Sequence, residues 1–497
     1  MTVPSSTTAG DRYAATSDTT HQGGDFNPIE AVDDLLSEVD LSAAAAGGSV
    51  SFAGADPILP ARHRLGACIG VPLIAGALAA VAFHRHRGGP AQDLALDLRQ
   101  AVHSINPGAF WHPTLNGEPP PYPLLFDNPF TVIPYRTADA RWVMASGVYP
   151  HQVASWCRFL DVPPDMAKVA KAIATWDAFE LEEAATLEGL PLCVVRSQGE
   201  WLAHEQGTLL ASQRVIGLER IADAPVREFG AAARPFDGVR VLSFTHAVAG
   251  PTVGRTLAEQ GADVLCATRP NDYEHDFIYD EANVGSRSAY LDLDKPIGRE
   301  RVERLLADTD VVVDNYRMGS LARRGLDPRT LAQRGQGLVY VSVNCYGPNG
   351  PWMGRGGFDM NGSAVSGLMT SEGSEAEPRL PVTSLINDYI TGYMGAIGAS
   401  AALVKRAIDG GSWHVTVSLT RTAMWCSSLG LVDPALAGSD AEHSPREPDA
   451  YDAPSPLGDV HMLAPPVHFS YTPPAWADPI LVPRGSGSPN WRSRVPV

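Results

Sequence analysis

Residues 236–270, FDGVRVLSFTHAVAGPTVGRTLAEQGADVLCATRP, decide the fold. Val239 to Thr245 is an apolar run of strand length, and the small residues of THAVAGP follow it. Pro251 to Gln260 then reads as a helix with proline in its first turn, where the missing N–H is no loss. Asp263 to Ala267 is a second strand. Further on, ERVERLLADT (300–309) reads as a helix, and DVVVDN (310–315) and LVYVSVNCYG (338–347) as strands with near-continuous apolar runs. Strands of that kind, separated by helices, predict a parallel sheet covered on both faces, a doubly wound α/β domain.

Outside that core the composition bounds the partners. Acids outnumber bases 56 to 38 over 497 residues, giving a net charge of −18. No nucleic-acid partner is expected, because binding a phosphate backbone needs a Lys/Arg-rich face. The six cysteines (Cys68, Cys157, Cys193, Cys266, Cys345, Cys426) form no CxxC pair, so neither a disulfide framework nor a metal site is signalled. A polar N-terminus without a basic start and apolar core predicts a cytoplasmic protein. The longest apolar stretch, Val71 to Phe83, reads as too short for a membrane span.

Five segments follow along the chain: 1–27, a disordered tail; 28–115, a helical segment; 116–230, a small domain with a hairpin and linker; 231–430, the doubly wound domain; and 431–497, an irregular segment. The hairpin is expected in TVIPYRTADARWVMAS, turning at Ala138 to Ala140. Gly76 to Leu98 (GALAAVAFHRHRGGPAQDLALDL) echoes Gly398 to Leu419 (GASAALVKRAIDGGSWHVTVSL): a small-residue helix, a basic end, a Gly-Gly turn and a strand.

The stretch from Phe236 resembles the family III CoA-transferases, the CaiB/BaiF type, which include formyl-CoA and carnitine CoA-transferases and the α-methylacyl-CoA racemases. The resemblance rests on residues 236–270, then SRSAYLDLDKPIGRE (286–300), DVVVDNYRMGSLARRGLDP (310–328), LVYVSVNCYGPNGPW (338–352) and SLINDYITGYMGAIGASAAL (384–403), in family order. It implies a Rossmann-like CoA-binding domain with a smaller α+β domain, here in a rear-half-first arrangement in which 28–115 repeats the return element at 388–430. It also implies acyl-CoA and a carboxylic acid as substrates, no tightly bound cofactor, and an interlocked homodimer whose geometry this chain could satisfy within itself or by dimerising.

By resemblance, the residues expected to bind CoA are His246, Ala247, Val248, Ala249, Arg269, Arg287, Asn315, Tyr316, Arg323 and Asn344. The family's lysine in the strand-end motif is Asn344 here, and its Lys-Arg-Ser reads Ser286-Arg287-Ser288. A transferase needs one positioned carboxylate to attack the acyl-CoA carbonyl, and in the loop TSEGSEAEPRLP (370–381) this is expected to be Glu375, with Glu377 beside it. Racemase chemistry would instead use Asp388, with Asp359 as a base whose usual histidine partner is Phe358 and with Arg136 where an acid is normal. A catalytically impaired CoA-binding protein is the third reading.

Overall fold

The computed structural model describes residues 26–119 and 128–493, so residues 1–25 of the expected tail lie outside the described residues. Near the N-terminus, strand β1 (Gly47–Ala53), helix α1 (Leu65–His86) and strand β2 (Gln92–Asp97) form a crossover unit in which β1 and β2 pair in parallel. Next come the antiparallel strands β3 (Pro134–Arg136), β4 (Trp142–Ala145) and β5 (Leu192–Val194), joined by helices at Pro150–Leu160, Met166–Ile173 and Ala178–Leu187. These make the small domain, with its own core around Phe130, Trp156 and Leu181.

The main sheet begins with β6 (Gly217–Ala222) and continues with β7 (Arg240–Phe244), helix α2 (Ala249–Ala258), β8 (Asp263–Thr268), β9 (Arg287–Tyr290), β10 (Val311–Asp314), β11 (Val339–Asn344), helix α3 (Asn387–Asp409) and β12 (Ser412–Ser418). Its seven strands run in the order β9-β8-β7-β10-β11-β12-β6. All pair in parallel except β6, which lies antiparallel on the β12 edge. The chain thus moves outward from β7 to β9, returns, and builds the other half from β10, which is the doubly wound Rossmann order with a switch point between β7 and β10. Period-two burial explains the layering. Val311, Val313, Val339 and Val341 face one core, while Val312, Leu242, Phe244 and Tyr340 face the other.

The structure differs from the sequence reading in three places. Gly217–Ala222, assigned to the small-domain segment, completes the main sheet. The segment from 431 onward is not wholly irregular: Ala450–Ser455 and Gly458–Leu463 form a hairpin, and His468–Phe469 pairs with β2. The span 65–86 forms one 22-residue helix, long and apolar enough to cross a membrane, with 89% of its most apolar window buried inside the protein. The apolar run alone had understated it, because Leu65 to Gly70 and the basic end His84 to His86 continue the helix on both sides.

The two echoing stretches both fold as a long buried helix followed by a strand parallel to the one before the helix. Each helix is also capped by a distant aspartate. Asp56 accepts the N–H groups of Gly66 and Ala67 at 2.8 and 2.7 Å, and Asp359 accepts those of Asn387 and Asp388 at the start of α3.

Candidate active site

A cleft of about 870 Å³ opens at the carboxyl ends of β7, β8, β10 and β11 and is closed on its far side by Tyr149 and Leu190 of the small domain. Ligands of doubly wound sheets bind at this position, outside the switch point, because the strands on either side of it lead off in opposite directions and leave a crevice. Across the switch point, Asn315 Oδ1 accepts the His246 N–H at 3.0 Å and Asn315 Nδ2 donates to the His246 carbonyl at 2.8 Å. That reciprocal pair fixes the turn leading into α2. A side chain at Gly250 would place its Cβ 2.5 Å from Asn315 Cγ, so only glycine permits this approach.

Of the residues expected at the site, His246, Ala247, Ala249, Arg269, Asn315, Tyr316, Asn344 and Asp388 line the cleft. Val248 is buried beneath the turn. Arg287 sits at the opposite end of the sheet, paired with Asp263 at 2.9 Å, because both residues begin their strands while the cleft lies where strands end. Arg323 is exposed and does not contribute to the cleft wall. Glu375 and Glu377 lie on the exposed loop outside the cleft, with Glu377 held by Arg379 at 2.7 Å. The loop folds back on itself, Ser374 N–H donating to the Glu377 carbonyl, and carries both acids away from the cleft.

Asp388 lines the cleft, as do Val343, Cys345, Phe358 and Leu419. It stands in the first turn of α3, one turn before Gly392. A Cβ at Gly392 would come within 2.4 Å of Thr252 Cβ and 2.8 Å of the Ala249 carbonyl, so α3 crosses α2 at close range there. This crossing brings the first turns of both helices close together; Asp359 takes up the first N–H groups of α3, which leaves the α2 N-terminus as the dipole end suited to a developing oxyanion. Burial and the nearby charge of Asp359 raise the Asp388 carboxyl well above the usual carboxylate range. Asp359 is fully buried; burial pushes it up to about 6, against the N–H groups it accepts from residues 386 to 388 and the Asn387 amide. With four such donors, Asp359 is the stronger acid of the two.

The far wall holds residues that no linear motif announced. The Tyr149 hydroxyl lies 2.9 Å from His246 Nδ1 and 3.1 Å from Glu274 Oε1. With one proton to give, it donates to the carboxylate and accepts from Nδ1–H of an imidazole that burial keeps neutral. Glu274 also accepts the Ala247 N–H at 2.8 Å. Arg317, Arg355 and Arg484 add cations from three separate segments. No group of three or more His, Cys, Asp or Glu side chains suited to a metal ion occurs among the described residues.

Residues 236–455 match the family profile of CoA-transferase family III. The acetyl-coenzyme A transferase nodX of Hypoxylon pulicicidum is 32% identical over 286 residues, 54% of this chain and 48% of that protein. An acyl-CoA transferase of Gibberella moniliformis is 28% identical over 61% of this chain and 54% of its own. The chain therefore spans about half the length of the curated relatives it matches. Among solved structures, Rv3272 from Mycobacterium tuberculosis aligns with 39% of this chain and 56% of its own at 31% identity, with a TM-score of 0.37.

Proposed function

We propose that this chain, whose residues 236–455 match the profile of CoA-transferase family III, moves CoA between an acyl-CoA and a free carboxylic acid through the carboxylate of Asp388. The observation that carries this reading is the placement of Asp388. It lines the cleft, its side chain has no hydrogen-bond partner among the described residues, and it stands in the first turn of α3, beside the crossing with α2. The other acids of the wall are spoken for or peripheral: Glu274 holds Ala247 and Tyr149, Asp272 faces Arg269 at 3.8 Å, and Glu188 ends a small-domain helix.

Asp388 must be ionised to act. Its oxygen attacks the thioester carbonyl, and the C–S bond breaks with CoA leaving as thiolate, which forms a mixed anhydride. The thiolate then attacks the Asp388 carbonyl and expels the first acid as its carboxylate, leaving CoA joined to Asp388 as a thioester. The incoming carboxylate attacks that thioester and releases CoA thiolate again. Attack of this thiolate on the new acyl carbonyl yields the product acyl-CoA and returns free Asp388. Positive charge from the α2 N-terminus favours each oxyanion along the way.

Incubating the protein with an acyl-CoA and an isotopically labelled free acid tests this directly. Label should appear in acyl-CoA with ping-pong kinetics. Hydrolysis without exchange, or deuterium uptake at the α-carbon without transfer, would overturn the reading.

A further inference from the structure

We propose that the C-terminal segment completes the cleft and that its Arg484 binds a phosphate of the acyl-CoA. The inference rests on the transferase reading above and adds to it a residue beyond 236–455, the span that matches the family profile.

The segment follows a fixed track along the edge of the main sheet. Gly485 N–H donates to Ser288 Oγ at 2.9 Å, Gly487 N–H donates to the Ser288 carbonyl at 2.7 Å, and Ser486 pairs antiparallel with Ala289. In that register a step back from Ser486 is a step forward from Ala289, so Arg484 stands level with Leu291, just past the carboxyl end of β9. The cleft opens at the carboxyl ends of the strands, and Arg484 lines it. A Cβ at Gly485, whose φ is +70°, would collide with the Tyr290 ring, so only glycine lets the segment lie this close. Before Arg484, the Val482 carbonyl accepts the Tyr279 hydroxyl at 3.1 Å and the Ile480 carbonyl accepts the Gly285 N–H at 2.7 Å. After it, Trp491 Nε1 donates to the Leu305 carbonyl at 2.9 Å. Arg484 is therefore held from both sides.

Two arginines stand at this end of the cleft, and their charges are met differently. Arg269 pairs with Asp294 at 3.0 Å and faces Asp272 at 3.8 Å. Arg484 donates from Nη1 to the Asp272 carbonyl at 2.7 Å, which uses one of five guanidinium donors and neutralises no charge. The other donors form a planar fork that matches phosphate oxygens.

The separation of this cation from the reacting carboxylate selects the ligand. The Asp388 N–H is held by Asp359 at 2.8 Å, and the carbonyl of the adjacent Phe358 meets the Cys345 thiol at 3.8 Å, just past β11. In the sheet order β11 and β9 are four strand spacings apart, about 19 Å. A thioester seated at Asp388 reaches Arg484 only if its thiol carrier is long and ends in an anion. Coenzyme A has that form, with a neutral pantetheine arm between the sulfur and the phosphates.

Calorimetry of the full chain with CoA, at low and at high salt, tests the assignment without turnover. Arg484→Gln should weaken CoA binding roughly tenfold at low salt, the scale of one charge-assisted contact, and the deficit should shrink at high salt, where charge is screened. Arg484→Lys should recover part of the affinity. Repeating the titrations with 3′-dephospho-CoA separates the two sources of phosphate: a deficit that vanishes assigns Arg484 to the 3′-phosphate, and one that persists assigns it to the diphosphate. CoA affinity unchanged in Arg484→Gln, or a deficit equal at both salts and not relieved by lysine, as lost packing would give, would overturn the assignment and leave the transferase reading standing. An unmodified chain that binds no CoA would overturn both.

Discussion

Asp359 accepts the backbone N–H of Asp388 at 2.8 Å, so one buried carboxylate caps the helix whose first turn presents another to the cleft. The cap fixes the position of Asp388 and its negative charge resists ionisation of Asp388. The same residue therefore both places Asp388 and raises its carboxyl above the ordinary range.

Replacing the nucleophile while keeping its shape should separate chemistry from binding. Asp388→Asn is expected to lower transfer by roughly 10³-fold or more. CoA affinity, measured by calorimetry, should change little, since the His246 turn is untouched.

The acidity of Asp388 predicts a pH profile. Only the ionised form attacks, and its carboxyl is raised, so kcat/KM should climb with pH through a value above the ordinary carboxylate range of about 4. Asp359→Asn removes the opposing charge and retains an acceptor oxygen for the N–H groups. Its activity limb should move to lower pH, and a limb that stays in place would count against the coupling of the pair.

The close helix crossing predicts a different failure. Gly392→Val would press on Thr252 and force α3 from α2, at roughly 1–3 kcal/mol of stability. Because Asp388 is one turn away, turnover should fall further than CoA affinity, as a split between kcat and binding would record.

A second acidic cluster sets a pH dependence of stability. Burial pushes Glu281 up to about 7, with Tyr389 donating to it at 3.1 Å. A carboxyl whose folded pKa exceeds its unfolded value of about 4.3 favours the fold at low pH, and that contribution is lost as pH rises through 7. Glu281→Gln should thus gain stability relative to the unmodified protein between pH 5 and 8, by on the order of 2 kcal/mol. Denaturant midpoints at the two pH values would show it.

The parallel sheet was legible because its strands are short apolar runs between helices, and Val311 to Val313 must be buried on both faces to make sense. The turn after β7 and Asn315 after β10 could be placed for the same reason. What sequence could not supply was the identity of the carboxylate. Glu375 and Asp388 are 13 positions apart in one stretch, and only the folding back of the 370–381 loop and the crossing at Gly392 decide which one faces the cleft. Tyr149, Arg355 and Arg484 reach the cleft from the small domain, from a glycine-flanked connection and from the C-terminal segment. No periodicity marks such residues, because their meeting is a product of tertiary packing.

The most direct test of the account is to mix the protein with an acyl-CoA, quench with hydroxylamine and map the modified residue by peptide mass spectrometry. A hydroxamate on Asp388, absent from Asp388→Asn, is the predicted result. A hydroxamate on Glu375 or Glu274, or none with any acyl-CoA that supports transfer, would contradict it.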